Sequence, residues 1–147
     1  MVFEFSAGGV VFRNDREKLE ILVSQHSFHH GWVFPKGLIG DKEHLKGEDK
    51  KETAVREVKE ETGAEGEILA EITPVTYWYV MDGIKRKKTV YYFIMKYTGG
   101  DITVHDHEME KVEWLPADEV LDRLTYKSDK DVFEEARPII ERLANNV

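Results

Sequence analysis

The segment Glu48 to Gly63, EDKKETAVREVKEETG, limits what this chain can become more than any other stretch. Its pattern is helical. Measured from Glu57, Glu61 falls at about +40° and Glu60 at about −60°, so three carboxylates crowd an arc of roughly 100°. Ala54, Val58 and Val55 follow at about 60°, 100° and 160° as an apolar stripe, while Lys59 and Glu52 point away at about 200° and 220°. The pattern predicts a core face, a solvent face and an acidic edge between them. Like charges at i, i+4 repel, so Glu57 and Glu61 oppose the helix unless a cation lies between them. Hard divalent ions bound by carboxylate oxygens are the usual remedy. A run of Glu and Lys is also what a plain solvated helix looks like, so the surrounding sequence has to decide.

The chain has 147 residues, enough for one domain (1–147) with one substantial core. Its 41% hydrophobic and 11% aromatic content is that of a globular protein rather than a disordered one. No apolar run approaches the ~18 residues of a membrane span, and no signal-peptide pattern is visible, so the expected compartment is the cytoplasm. Without cysteine there are no disulfides and no thiol chemistry. A net charge of −8 argues against sequence-independent nucleic-acid binding. An acidic protein can still act on a polyphosphate if metal ions mask both partners.

Strands are expected at Phe3–Phe12 and Leu19–Gln25, joined across Asn14-Asp15, with a short apolar stretch at Trp32–Phe34 stopped by Pro35. A polar loop, 36–47, leads into the helix, Asp49–Thr62, with Gly63 as its stop. Ile68–Val80 and Ile84–Tyr97 read as strands around a Met81-Asp82-Gly83 hairpin, and Val112–Leu115 as another. A helix is expected at Ala117–Leu124 and a second from Ser128 as N-cap. The second has an apolar face of Val132, Phe133, Ala136, Ile140 and Leu143, and Pro138 should kink or break it. The fold class is therefore α+β, an α/β/α sandwich with a mixed sheet buried between helices.

From Glu48, seven residues lead to Arg56-Glu57-Val58-Lys59-Glu60-Glu61-Thr62-Gly63-Ala64, preceded by GWVFPKG. This resembles the Nudix box, a Gly, five residues, a Glu, seven residues, then Arg-Glu-U-x-Glu-Glu-x-Gly-U with U aliphatic. Every fixed position from Glu48 to Gly63 is matched, and Ala64 is a small final U. The departure lies upstream, where ten residues rather than five separate Gly37 from Glu48. A five-residue insertion within 40–46 accounts for it. Reading Glu43 as the box Glu would restore the first spacing and spoil the second.

The resemblance implies hydrolysis of a nucleoside diphosphate linked to another group, with divalent metal drawing charge off the phosphates and activating water. Glu57, Glu60 and Glu61 match the family's metal ligands, with the Gly37 carbonyl as a further one and magnesium or manganese as the ion. Arg56 and Glu48 match positions that brace the loop against the helix. Lys36 stands where a cation meets phosphate oxygens. In HDHEMEKVEWLP, Glu108 matches the additional glutamate of many Nudix enzymes, with Glu110 second.

SAGGVVF, WVFPKG, KTVYYFIM, HDHEMEKVEWLP and LTYKSDKDVFEEA together look like the diadenosine polyphosphate hydrolase branch, which implies diadenosine tetraphosphate cleaved to ATP and AMP. Tyr77, Tyr79 and Tyr126 are then candidates for base stacking, and Lys36, Lys85, Arg86, Lys87 and Lys88 for phosphate contacts. Packing in the sheet or core is the competing role for each tyrosine. Other readings are a hydrolase of a nucleotide such as ADP-ribose, an RNA 5′ pyrophosphohydrolase (the one case with a nucleic-acid partner), or a non-catalytic nucleotide-binding module. The intact box glutamates weigh against the last. A monomer or homodimer is expected.

Overall fold

The computed structural model describes residues 1–40 and 46–145; the insertion expected within 40–46 thus falls largely outside the described residues. Two long strands form the centre: β1 (Val2–Asp15) and β7 (Ile84–Gly100), which pair in parallel from Val2↔Arg86 to Phe12↔Lys96. Every other pairing is antiparallel. β2 (Lys18–His26) joins β1, β8 (Met109–Pro116) extends β2, and β5 (Ala64–Glu71) and β6 (Val75–Met81) share the length of β7.

β1 and β2 pair only from Phe12↔Ile21 to Asp15↔Lys18, and then they part. In the fork, β3 (Trp32–Val33) pairs with β2, while β4 (Lys36–Leu38) pairs with β1. Phe34-Pro35 is the strap between them.

Pleating distributes the core. Val10, Phe12, Ile21, Val23, Tyr92 and Ile94 face one side and pack with α3 (Lys127–Asn145). Ala7, Val11, Leu22, Phe93 and Met95 face the other and pack with Ala54 and Val58 of α1 (Lys50–Thr62). The mixed sheet lies between helices, as the α+β reading expects. Ala117–Glu119 forms a 3-10 turn before the short α2 (Val120–Arg123). Among the described residues no helix is long and apolar enough to cross a membrane.

Several local expectations are corrected. Ile68–Val80 is two strands, because Pro74 can donate no ladder bond and β7 changes partner there, pairing with β6 over 84–90 and with β5 over 93–100. The hairpin loop is the pair Asp82-Gly83, both at positive φ, with Met81 still paired to Ile84. Part of the expected loop 36–47 forms β4. Ser128 lies inside the first turn of α3, and the Lys130 N–H donates to the Tyr126 carbonyl ahead of it. α3 runs through Pro138, which is exposed, as is Glu134 one turn before it. The carbonyl deprived of its bond can therefore be hydrated. Val55 is 38% exposed, because the buried face of α1 is centred on the acidic edge itself: Thr53, Ala54, Glu57, Val58, Glu61 and Thr62.

Candidate active site

α1 is fixed at both ends. The Asp49 carboxylate accepts a hydrogen bond from the Glu52 N–H at 2.8 Å, satisfying a donor that the helix leaves unpaired. Gly63 closes the helix at φ 81°, where a Cβ would lie 2.0 Å from the Asp101 carbonyl oxygen. Only glycine fits there. Arg56 forks onto Glu48, with Nε to Oε2 at 2.9 Å and Nη2 to Oε1 at 3.0 Å, while Nη1 donates to Glu57 at 2.9 Å and Glu60 at 3.1 Å. Thr53 Oγ1 donates to Glu48 at 2.6 Å. The Arg56 guanidinium holds the Glu48 carboxyl below its ordinary range. The segment before the helix is thereby tied to it.

Glu57 and Glu61 are buried, at 6% and 2% exposure. Burial pushes both carboxyls up, and for Glu61 the charges of Glu57 and Glu108 push further while Lys36 opposes them. The Lys36 N–H donates to Glu61 at 3.2 Å. A Cβ on Gly37 would lie 2.1 Å from the Glu57 carboxyl carbon, so any side chain there would displace the carboxylate.

These groups line a cavity of about 490 Å³ at the mouth of the fork. Lys36, Gly37, Glu57, Glu60, Glu61 and Glu108 all border it, joined by Lys88, His26, His29 and Asp106. Lys88 is held below the ordinary lysine range by burial and by Lys36. Although on a loop, Glu108 is fixed through its backbone: its N–H donates to Asp106 at 3.1 Å and its carbonyl accepts from the Ser27 N–H at 2.8 Å. Glu110 instead pairs with His30 at 2.5 Å.

The remaining candidates divide. Tyr126, 40% exposed, meets His29 at the rim, with its hydroxyl 3.0 Å from Nδ1. Tyr77 is half-buried, its phenol pushed up to about 12 by burial and by Asp129. Tyr79 donates to Glu4. Lys85 and Lys87 are not brought to the cavity: their Nζ atoms lie 4.7 and 5.4 Å from the Trp78 ring centre, and the pleat of β7 turns them opposite to Arg86 and Lys88. Strand parity separates the two pairs in the sequence, but which pair faces the cavity is set by the register of β7. His26, His29 and Asp106 carried no signal in the sequence, because the stretch 26–29 and the segment before β8 meet only in the fold.

Among the described residues, no three His, Asp or Glu side chains already stand gathered as a metal cage. The donor chemistry nevertheless fits a hard divalent ion: carboxylate oxygens, a backbone carbonyl, and a buried pair of carboxyls of which Glu57 is met by Arg56.

The NUDIX domain family model matches residues 3–138. An 8-oxo-(d)GTP phosphatase of Mycolicibacterium smegmatis is 33% identical over 137 residues, 87% of this chain. The chain spans 39% of the length of that relative, and 44% of a putative mutator protein MutT4 of Mycobacterium tuberculosis to which it is 37% identical over 116 residues, 78% of this chain. A bis(5′-nucleosyl)-tetraphosphatase (asymmetrical) of Caenorhabditis elegans is 31% identical over 119 residues, 79% of this chain and 81% of its own. A solved binary complex of a C. elegans Ap4A hydrolase superposes with a TM-score of 0.73 at 24% identity, covering 94% of this chain and 98% of that one, a likeness of fold. With the family model spanning nearly the whole chain and Glu57, Glu60 and Glu61 of the box gathered at one cavity, this chain belongs to the Nudix family.

Proposed function

We propose that the chain hydrolyses a phosphoanhydride bond in a nucleoside diphosphate linked to another group, and that its substrate is diadenosine tetraphosphate or a related diadenosine polyphosphate, cleaved to ATP and AMP in the first case. One observation carries this reading: one cavity is lined by the buried carboxylates Glu57 and Glu61 together with Lys36 and Lys88. A polyphosphate needs both walls, cations for its unmatched charge and carboxylates for the metal that accompanies it. The 31% identity to the asymmetrical tetraphosphatase supports the substrate class.

Glu57, Glu60, Glu61 and the Gly37 carbonyl would hold magnesium or manganese. When bound, such an ion supplies neutralisation of phosphate charge and acidification of water. Lys36 and Lys88 orient the phosphate chain, and Arg56 with Glu48 keeps the acidic helix in register with the Gly37 strand. Glu108 takes a proton from the attacking water, whose oxygen bonds to phosphorus as the bridging oxygen leaves with the other phosphate. Tyr126 and His29 offer a surface for one base at the rim, worth about 1–3 kcal/mol per stacked base.

A second reading has its own support, since the 33% identical relative is named as an 8-oxo-(d)GTP phosphatase. A substrate panel with magnesium, resolved by chromatography, separates the two. ATP plus AMP from diadenosine tetraphosphate upholds the proposal, and two ADP mean symmetric cleavage. A clear preference for 8-oxo-dGTP moves the assignment to the second reading. No turnover of any nucleotide overturns both.

A further inference from the structure

The strap Phe34-Pro35 runs into Lys36 of β4 across the fork between the two helical layers, and this backbone is held from both. The Lys36 N–H donates to Glu61 of α1 at 3.2 Å, and the Phe34 N–H donates to Asp129 of α3 at 3.4 Å. Between them the Pro35 carbonyl accepts from the Gly9 N–H at 3.1 Å. Three successive residues thus have a backbone polar group fixed, two of them by carboxylates that reach in from opposite faces of the sheet. Glu61 belongs to the cavity, but Asp129 does not border it.

Asp129 is 4% exposed. A buried carboxylate is costly unless it satisfies something, and this one has three partners. It accepts from Phe34, it shares a hydrogen bond with Tyr92, and the positive charge of Lys36 offsets its own. Asp129 also stands in the first turn of α3, where an acid favours the helix dipole. That role, however, needs no burial and no contact with the strap.

We propose that Asp129 is a positioning residue: by holding the Phe34 N–H it fixes the strap that delivers the Lys36 ammonium to the phosphate chain. The inference rests on the proposed function for its substrate but not for its geometry. Without the acceptor, Phe34 keeps its ring in the core while its amide seeks another partner, and Lys36, two residues on, loses its register against Glu61.

The test compares Asp129→Asn, Asp129→Leu, Lys36→Met and Lys36→Met/Asp129→Leu well below their melting temperatures, with two readouts. One is kcat/KM for diadenosine tetraphosphate; the other is Kd for inorganic tripolyphosphate with magnesium, by calorimetry. Asn keeps an oxygen for the Phe34 amide and should stay within about threefold of wild type in both. Leu leaves the amide unpaired and should lose about tenfold or more. In the Lys36→Met background the Leu change should add little, because the side chain it positions is gone. An equal loss in both backgrounds, or no loss, overturns the inference and leaves a helix-start acid. Wild-type protein that binds tripolyphosphate with this pattern but hydrolyses no dinucleotide overturns the proposed function alone. Wild-type protein that does neither overturns both.

Discussion

α1 and α3 cover opposite faces of one sheet, yet they bury different chemistry. α3 presents Val132, Phe133, Ala136 and Ile140, with Asp129 as its one buried acid among the described residues. α1 presents only Ala54 and Val58 as buried apolar groups, beside Thr53, Thr62, Glu57 and Glu61. An apolar face gains on the order of 25 cal/mol per Å² removed from water; a face carrying two buried carboxylates opposes folding instead. α1 is accordingly held by its neighbours: the Asp49 cap, the Gly63 stop and the Arg56 fork onto Glu48. In this chain, packing secures one helix, whereas polar anchoring keeps the other in place with reactive groups on its inner face. Substitutions should sort accordingly, changing chemistry at the buried acids of α1 and stability at the apolar face of α3.

The largest expected effect is Glu61→Gln. Shape is kept and charge is lost, so the donor set for a divalent ion is weakened and the rate with magnesium should fall about a thousandfold or more. Folding should respond in the opposite sense. Without divalent ions, removing one member of a buried like-charge pair should leave the melting temperature unchanged or raise it. Glu52→Gln is the control, exposed on the same helix, and should match wild type in both measurements. Equal activity of the two variants would end the metal-site reading and make α1 an ordinary covering helix.

The same pair gives α1 a pH signature. Glu61 titrates well above its ordinary 4.5 in the folded chain, so between 4.5 and the folded value the native state binds more protons than the unfolded one. Stability from this group is complete below 4.5 and is lost as pH rises through that window. Gln has nothing to titrate. The metal-free unfolding free energy of Glu61→Gln should therefore gain on wild type from pH 5 upward, by at most about 1.4 kcal/mol per pH unit, and the gap should close below 4.5. Glu48 is shifted down and has the opposite sign, contributing above its ordinary 4.5 and losing that on acidification. It is common to both proteins and cancels. A gap that shrinks with rising pH would contradict the buried-proton picture.

Arg56→Lys sharpens the anchoring half of the comparison. Lysine keeps the charge but cannot make the two-pronged contact with Glu48. Denaturant unfolding should lose about 1–2 kcal/mol, the scale of a charge-assisted hydrogen bond to a partly buried carboxylate. An unchanged midpoint would mean that packing alone fixes α1.

The frame of α1 was legible because helix period, box spacing and the Gly63 stop are all local. So were the placements of Lys36, Gly37, Glu57, Glu60, Glu61 and Glu108 at one cavity, which the box and its flanks predict together. What was not legible depends on distant partners. Val55 looked apolar-faced, but Glu57 and Glu61 took the buried arc because the strap carrying Lys36 and Gly37 lies over it. Lys88 rather than Lys85 or Lys87 reaches the cavity because of the register of β7, which no single strand reveals. Asp129 carries no local mark at all: it reads as one more charge near a helix start until Phe34 packs under α3.

Ile140→Val tests the packing half with the smallest change. Ile140 is fully buried on α3, in the cluster that holds Phe12, Phe133 and Ile94. Deleting one methyl group there should cost about 1 kcal/mol, part lost transfer energy and part residual cavity. The cost should appear in denaturant midpoint and melting temperature, with the slope of the denaturant transition unchanged. Turnover measured well below the transition should equal wild type, since Ile140 does not border the cavity and makes no hydrogen bond that positions the strap. The informative failure is a change in rate without a change in stability. That would mean motion within the α3 layer reaches Lys36 by a route besides Asp129, and the division of labour between the two helices would not hold.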